Sequence, residues 1–447
     1  MSREMKDSGV QWIGKIPKEW EVKPLKAILE ERNEKNLPIK SDNILSLTMD
    51  KGVIPYKDKE GGGNKAKEDL SAYKLAYPND IVLNSMNVIA GSVGLSSYFG
   101  CVSPVYYTLY SRNNDDSIQY FNDIFQSKVF QLSLLGLGNG IMMKQAEGSG
   151  KLNTIRMRIP MQKLNTVVLP YPSKESQKQI ANYLDKKVSQ IDDIISKQKN
   201  LIEKYKAYKQ SLITETVTKG LNKNVSMKES GIEWIGEVPS HWDVKKMKYL
   251  GTLNASGVDK KIRDGEKLYK SVHYVNVYKN GQKEIFNRED YLVISCDDSK
   301  ATNCTLLVGD VLFTNSSETA EDMGACTVIA ENLENTLFGY HLMRFRPDLN
   351  KLYYKYEKYL FSSNYMRKWF EYNSVGMTRY GLAQRGFAEA QIIYAPYEEQ
   401  KKIADFLDKK CNAIDSAISK KEQLITKLED YKKSLIYEYV TGKREVL

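Results

Sequence analysis

The chain has 447 residues, with 66 lysines and arginines against 56 aspartates and glutamates, for a formal charge of +10. That length supports two or three domains with their own cores, and the basic surplus suits a polyanion such as nucleic acid, although many solvated helical proteins share it. Five scattered cysteines with no C-x-x-C pair, and three separated histidines (His241, His273, His341), argue against a structural zinc site and for a reducing compartment. The N-terminus lacks an apolar signal core and no stretch reaches the roughly 20 apolar residues of a membrane span, so a soluble, cytoplasmic protein without a membrane partner is expected.

Residues 1–26 carry the first of two matching segments. Ser8–Lys26 reads S-G-V-Q-W-I-G-K-I-P-K-E-W-E-V-K-P-L-K and returns as Ser230–Lys248, S-G-I-E-W-I-G-E-V-P-S-H-W-D-V-K-K-M-K, with ten of nineteen positions identical. Trp12, Trp20, Trp234 and Trp242 lie in these copies. Repeated W-I-G and P-x-x-W suit packing anchors better than ligand contacts. A repeat of this size governs the fold before any local propensity does.

Residues 27–172 form a first insert of mixed pattern. Strands are expected around Ile44–Leu47, Ile81–Asn84 and Val105–Tyr110, and a helix over Ile118–Leu134. Two of its loops suit a nucleic acid. One, around Gly62, Asn64, Lys65 and Lys67, is glycine-rich and basic, so its backbone N–H groups can approach phosphates; a mobile surface loop is the competing reading. The other joins Lys144 and Gln145 to Lys151, Asn153 and Arg156 across glycines 148 and 150.

From Ser173 to Lys219 there is no proline or glycine, Pro172 precedes the run and Gly220 ends it. These are the boundary signals of one long helix over 173–220, roughly 60–70 Å in extent. Alternating four- and three-residue steps place Leu184, Ile191, Gln198, Tyr205 and Leu212 on a coiled-coil seam. Residues 221–248 are a polar linker followed by the second Trp segment.

The second insert, 249–396, resembles the first in order. Strands are expected around Leu268–Val277, Val311–Thr314 and Leu342–Phe345, and a helix over Leu352–Phe370. Asn79-Asp80-Ile81-Val82-Leu83 is echoed by Gly309-Asp310-Val311-Leu312-Phe313, and Phe125-Gln126-Ser127 by Phe361-Ser362-Ser363. The inserts therefore read as one α/β domain with rewritten loops, and recognition usually sits in such loops. Candidate DNA contacts here are Lys270, His273, Tyr274, Asn276, Lys279 and Asn280, and the run Thr378, Arg379, Tyr380, Gln384 and Arg385. Arginine pairs with guanine and glutamine with adenine through two hydrogen bonds in the major groove.

Residues 397–447 repeat the long helix, opening with Q-K-K-I-A-D-F-L-D-K-K where the first has Q-K-Q-I-A-N-Y-L-D-K-K. Its seam runs through Leu407, Ile414, Lys421, Leu428 and Leu435. The first helix delivers the chain to the second insert and the second heads back, so pairing would be antiparallel. With midpoints aligned, facing positions have numbers summing to about 619, which sets Leu184 against Leu435, Ile191 against Leu428, Gln198 against Lys421, Tyr205 against Ile414 and Leu212 against Leu407.

Catalytic signals are missing. There is no G-x-x-x-x-G-K-[ST] phosphate loop, no G-x-G-x-x-G turn and no Asn/Asp-Pro-Pro-aromatic tetrad for holding a flipped base. Glu21-Val22-Lys23 and Asp243-Val244-Lys245 echo the end of a nuclease motif without an acidic partner strand upstream. No catalytic residue, metal site or cofactor of its own is expected.

The order insert, helix, insert, helix, with the repeated S-G-[VI]-x-W-I-G-x-[IV]-P-x-x-W and Q-K-x-I-A-x-[YF]-L-D-K-K segments, resembles the specificity subunit of type I restriction–modification enzymes over the whole length. The resemblance implies an α+β chain: two α/β target recognition domains separated by two long antiparallel helices, a coiled-coil spacer with an internal pseudo-twofold repeat. Each insert would read half of a bipartite, asymmetric site on double-stranded DNA. Partners would be two methyltransferase subunits and motor-nuclease subunits, which would hold the S-adenosylmethionine, ATP and magnesium. A non-enzymatic tandem-repeat adaptor, binding proteins through its inserts, is the alternative that the residues alone leave open.

Overall fold

The computed structural model describes residues 3–48, 51–59, 66–138 and 158–446. They form two compact units, one made of 1–198 with 422–447 and the other of 199–421. Each unit thus takes one Trp segment, one insert and a part of each long helix.

In the first unit the central sheet is antiparallel, in the order Leu29–Glu31, Tyr106–Ser111, Ile81–Asn84, Val93–Leu95. Ile81, Val82 and Leu83 are all buried, as a central strand covered on both faces requires. The predicted single helix over 118–134 is instead two, Ile118–Gln126 and Lys128–Ser133, with Ser127 extended between them. In the second unit the sheet runs Gly251–Ala255, Leu342–Pro347, Val311–Thr314, Cys326–Ile329, with Glu284–Ile285 added in parallel at the edge. Its helix is likewise broken, into Tyr354–Ser362 and Asn364–Asn373, at the extended Ser363. The first four strands match the first unit's one for one.

Smaller details repeat as well. Asp80, almost wholly buried, receives Arg32 Nε at 2.8 Å and the N–H of Tyr77 at 2.9 Å. Asp310 receives Arg346 Nε at 2.8 Å and the N–H of Leu307 at 2.8 Å. In both units the carboxylate closes the turn into the central strand while neutralising an arginine, Arg346 from the adjacent strand and Arg32 from just after the edge strand Leu29–Glu31, so the N-D and G-D echoes mark the same turn. Asn79 and Gly309, just before it, both have positive φ. Each insert also leaves and returns through one antiparallel strand pair, Glu21–Pro24 with Val168–Tyr171 and Asp243–Lys246 with Gln391–Tyr394.

The Trp segments are packing anchors. Trp20 and Trp242 are each at most 2% exposed. Trp20 lies beside Gly442 and Trp242 beside Gly220, the residues that end the two long helices with φ near +70°. Tyr120 donates to the carbonyl of Val440 at 2.8 Å, and Tyr356 to that of Val217 at 3.4 Å. In both units the incoming helix end is thereby pinned to an insert and to a Trp segment.

The long helices cover Lys174–Lys219 and Tyr397–Val440. In the first unit Tyr183 stacks near Tyr439, with centroids 4.6 Å apart, and Lys432 pairs with Asp192 at 2.6 Å. In the second, Lys421 lies over the Tyr205 ring and Lys209 pairs with Asp415 at 2.6 Å. Ascending positions on one helix thus meet descending positions on the other in each unit. Leu184, Ile191, Leu428 and Leu435 belong to one apolar cluster, and Leu212 and Leu407 to another. The expected register is not the one seen: at a sum of 619 Asp192 would stand opposite Lys427 and Tyr205 opposite Ile414, yet their side-chain partners are Lys432 and Lys421, five and seven residues further along. Each side chain leans toward its own helix N-terminus, which supplies part of that offset.

Asp123, buried on the first of the broken helices, accepts one hydrogen bond from Gln119 at 2.8 Å and has none on Oδ2. Burial pushes its pKa up to about 8. The unfolded carboxyl, near 3.9, ionises first. Its contribution is therefore full below about pH 4 and is lost as pH rises toward 8. Asp123→Asn should flatten the decline of stability across that window in denaturant titrations; an unchanged decline would contradict this account.

Candidate nucleic-acid interface

Loops of the second insert converge on one face. The hairpin of Val375–Gly376 and Tyr380–Gly381 pairs with Ser316–Ser317, which anchors it to the domain. Its turn, Met377-Thr378-Arg379, is exposed. Arg379 Nη2 donates to Ser316 Oγ at 3.4 Å, and that hydroxyl lies 3.4 Å from Nδ1 of His341. His341 has a φ of 64° and packs its ring against Tyr340 at 4.5 Å. Partial burial, then the charges of Arg379 and Lys260, hold its pKa below the ordinary histidine value, so the ring stays neutral and keeps an acceptor nitrogen. Tyr274 and Tyr278 stack at 5.4 Å on the short helix that borders this face, and Tyr278 donates to Asp322 at 3.0 Å. Guanidinium, neutral imidazole, phenols, carboxylate and an apolar tip together offer the donors, acceptors and methyl contact by which base edges are read.

The structure brings Tyr274, Thr378 and Arg379 to this face, packs the half-buried Tyr380 against the core, and sends other expected contacts elsewhere. His273 is a correction. The strand expected through Val277 ends at Val272, a helix follows over Tyr274–Tyr278, and His273 at their junction is turned inward with 5% exposure. A Cβ on Gly339 would sit 2.2 Å from its Nδ1, and burial presses its pKa down to about 4. It meets no duplex. Asn276 accepts from the N–H of His273, and Asn280 donates to the carbonyl of Glu284 and to Thr327, so both amides hold local structure. Lys279 lines a cavity of about 470 Å³ with these asparagines. Lys270 pairs with Glu289 at 3.0 Å. Gln384 and Arg385 open the separate helix Gln384–Ala388, where Gln384 donates to the carbonyl of Leu253 at 2.9 Å. The run 378–385 is thus two places.

In the first insert Lys67 is exposed, with its N–H donating to the Tyr73 hydroxyl at 3.2 Å. Gly62, Asn64, Lys65, Lys144, Gln145, Lys151, Asn153 and Arg156 lie outside the described residues. Sequence reasoning missed a polar cleft of about 460 Å³ lined by Glu31, Asn33, Lys74, Tyr107, Arg158 and Gln162. Lys74 pairs with Glu31 there at 2.9 Å and faces the Tyr107 ring. It missed Met377 and His341 too, although glycines at 376 and 381 bracket the first as a hairpin would. Among the described residues no His, Cys, Asp or Glu group is arranged to hold a metal, and no helix is long and apolar enough to cross a membrane.

Residues 239–429 match the family model described as the type I restriction modification DNA specificity domain. The type I restriction enzyme MjaVIII specificity subunit of Methanocaldococcus jannaschii is 24% identical over 97% of this chain and 94% of its own length. One chain from a structural study of complex assembly and conformational transition in a type I R-M system aligns with a TM-score of 0.69 at 10% identity, covering 96% of this chain and 99% of that one. The HsdS subunit from Thermoanaerobacter tengcongensis aligns with a TM-score of 0.53 at 11% identity, over 96% and 98%.

Proposed function

We infer that the chain belongs to the specificity subunits of type I restriction–modification enzymes, and that it reads DNA for a complex whose chemistry lies in other subunits. One observation carries this beyond the likeness: two units share a frame strand for strand and differ in the loops that it presents. Such a chain reads two different half-sites, giving a bipartite and asymmetric target. The interface of Arg379, His341 and Tyr274 serves the second half-site. Lysines such as Lys67 supply salt-dependent affinity for phosphates without sequence preference. Methyltransferase and motor-nuclease subunits dock on this chain and bring S-adenosylmethionine, ATP and magnesium. The antiparallel contacts within each unit support the two long helices as the spacer.

Substitution separates the two kinds of contact. In the assembled complex, Arg379→Ala should cost about 1–3 kcal/mol on cognate DNA and relax one position of one half-site. Lys67→Ala should weaken cognate and random duplexes alike and flatten the salt dependence. Equal losses on both duplexes for both variants would remove Arg379 from the readers.

A further inference from the structure

Met377 is 94% exposed, more than any other large apolar side chain among the described residues, and Val375 beside it is 80% exposed. Neither position is accidental in its backbone. Gly376 packs so tightly on the turn that a Cβ there would lie 2.1 Å from the carbonyl oxygen of Arg379. The three-residue turn is closed by Val375 opposite Gly381 and Gly376 opposite Tyr380, and its far strand is held on Ser316–Ser317. A short two-stranded ribbon anchored on Ser316–Ser317 therefore projects a flexible thioether outside the core, with a guanidinium two residues away. The side chain is thus open to an apolar group from outside the chain.

We propose that this ribbon enters the major groove of the second half-site and that Met377 packs on the 5-methyl group of a thymine. The proposal rests on the DNA-reading function above. The major groove is wide enough for a two-stranded ribbon, and the thymine methyl is the apolar group that base pairs present there. Methionine suits the task, because its unbranched, polarizable chain adapts to a small apolar target. Arg379 at the same tip supplies the polar contact to a neighbouring base edge, and its hydrogen bond to Ser316 fixes the direction from which it approaches.

The test uses the full complex and duplexes in which each thymine of the second half-site is replaced in turn by uracil, which removes only the methyl group. For one thymine the native complex should lose about fourfold in affinity, the value of one buried methyl-sized group. Met377→Ala should lose a similar amount on the thymine duplex and become indifferent to uracil at that position. Met377→Leu should retain part of the discrimination, which guards against a variant that merely misfolds, and the first half-site should be read unchanged by both. Indifference of the native complex to uracil at every thymine would overturn the proposal. So would full sensitivity retained by Met377→Ala. Those outcomes leave DNA reading intact, whereas a native complex without any sequence preference would defeat the function itself.

Discussion

Replacing residues 249–396 with the second insert of one of the specificity subunits it resembles should change one half of the recognised site and leave the other as it was. The expectation follows from how the insert is attached. It leaves after Asp243–Lys246 and returns through Gln391–Tyr394, two strands paired side by side with Val244 opposite Ile393. The ends of the insert are therefore neighbours, and a different loop set on the same frame closes the same pair. The first insert is closed in the same way by its own strands, with Val22 opposite Pro170. Loss of one half-site's specificity is a change of several kcal/mol on the old target, since each mismatched base pair costs about 1–3 kcal/mol. Methylation patterns of the chimera read the outcome. A change in both halves, or in neither, would contradict independent reading by the two units.

Trp242→Ala should be among the most destabilising single substitutions in the second unit. Its indole is fully buried, donates to Glu399 Oε2 at 3.1 Å, and lies 3.1 Å from where a Cβ on Gly220 would be. Truncation opens a cavity where the incoming helix, the repeated segment and the outgoing helix meet. Large-to-small changes of this kind cost about 3–5 kcal/mol. Trp20→Ala should act alike in the first unit. Gly442→Ala should also destabilise it, since the added Cβ would meet Pro17 at 2.5 Å and the residue has a φ of +69°. Denaturant unfolding of the full chain, with each unit's transition followed by its remaining tryptophans, measures these losses. Values below about 1 kcal/mol would mean that the Trp segments do not anchor the helix ends.

Much of the architecture was legible because it is carried by periodicity and repetition. The long helices declared themselves by heptad spacing between a proline and a glycine, and the central strands by Ile81–Asn84 and Val311–Thr314, found as expected. What stayed hidden depends on contacts between distant residues. Ser127 and Ser363 break their helices without proline or glycine, and the matching F-x-S echoes already marked both breaks without revealing their nature. The alternating pattern after Lys270 read as one strand, but His273 turns into the space left by Gly339, a residue far along the chain. Among the proposed readers, Arg379 was visible as a residue type. The partners that orient it, Ser316 and His341, come from other loops and carry no local signal.

Single-molecule mapping of methylated bases in cells that gain this chain together with its partner subunits tests the central claim most directly. One new bipartite, asymmetric motif is expected, with two specified blocks about one helical turn apart, ~10 base pairs centre to centre. A continuous palindromic motif, or methylation with no sequence preference, would contradict it.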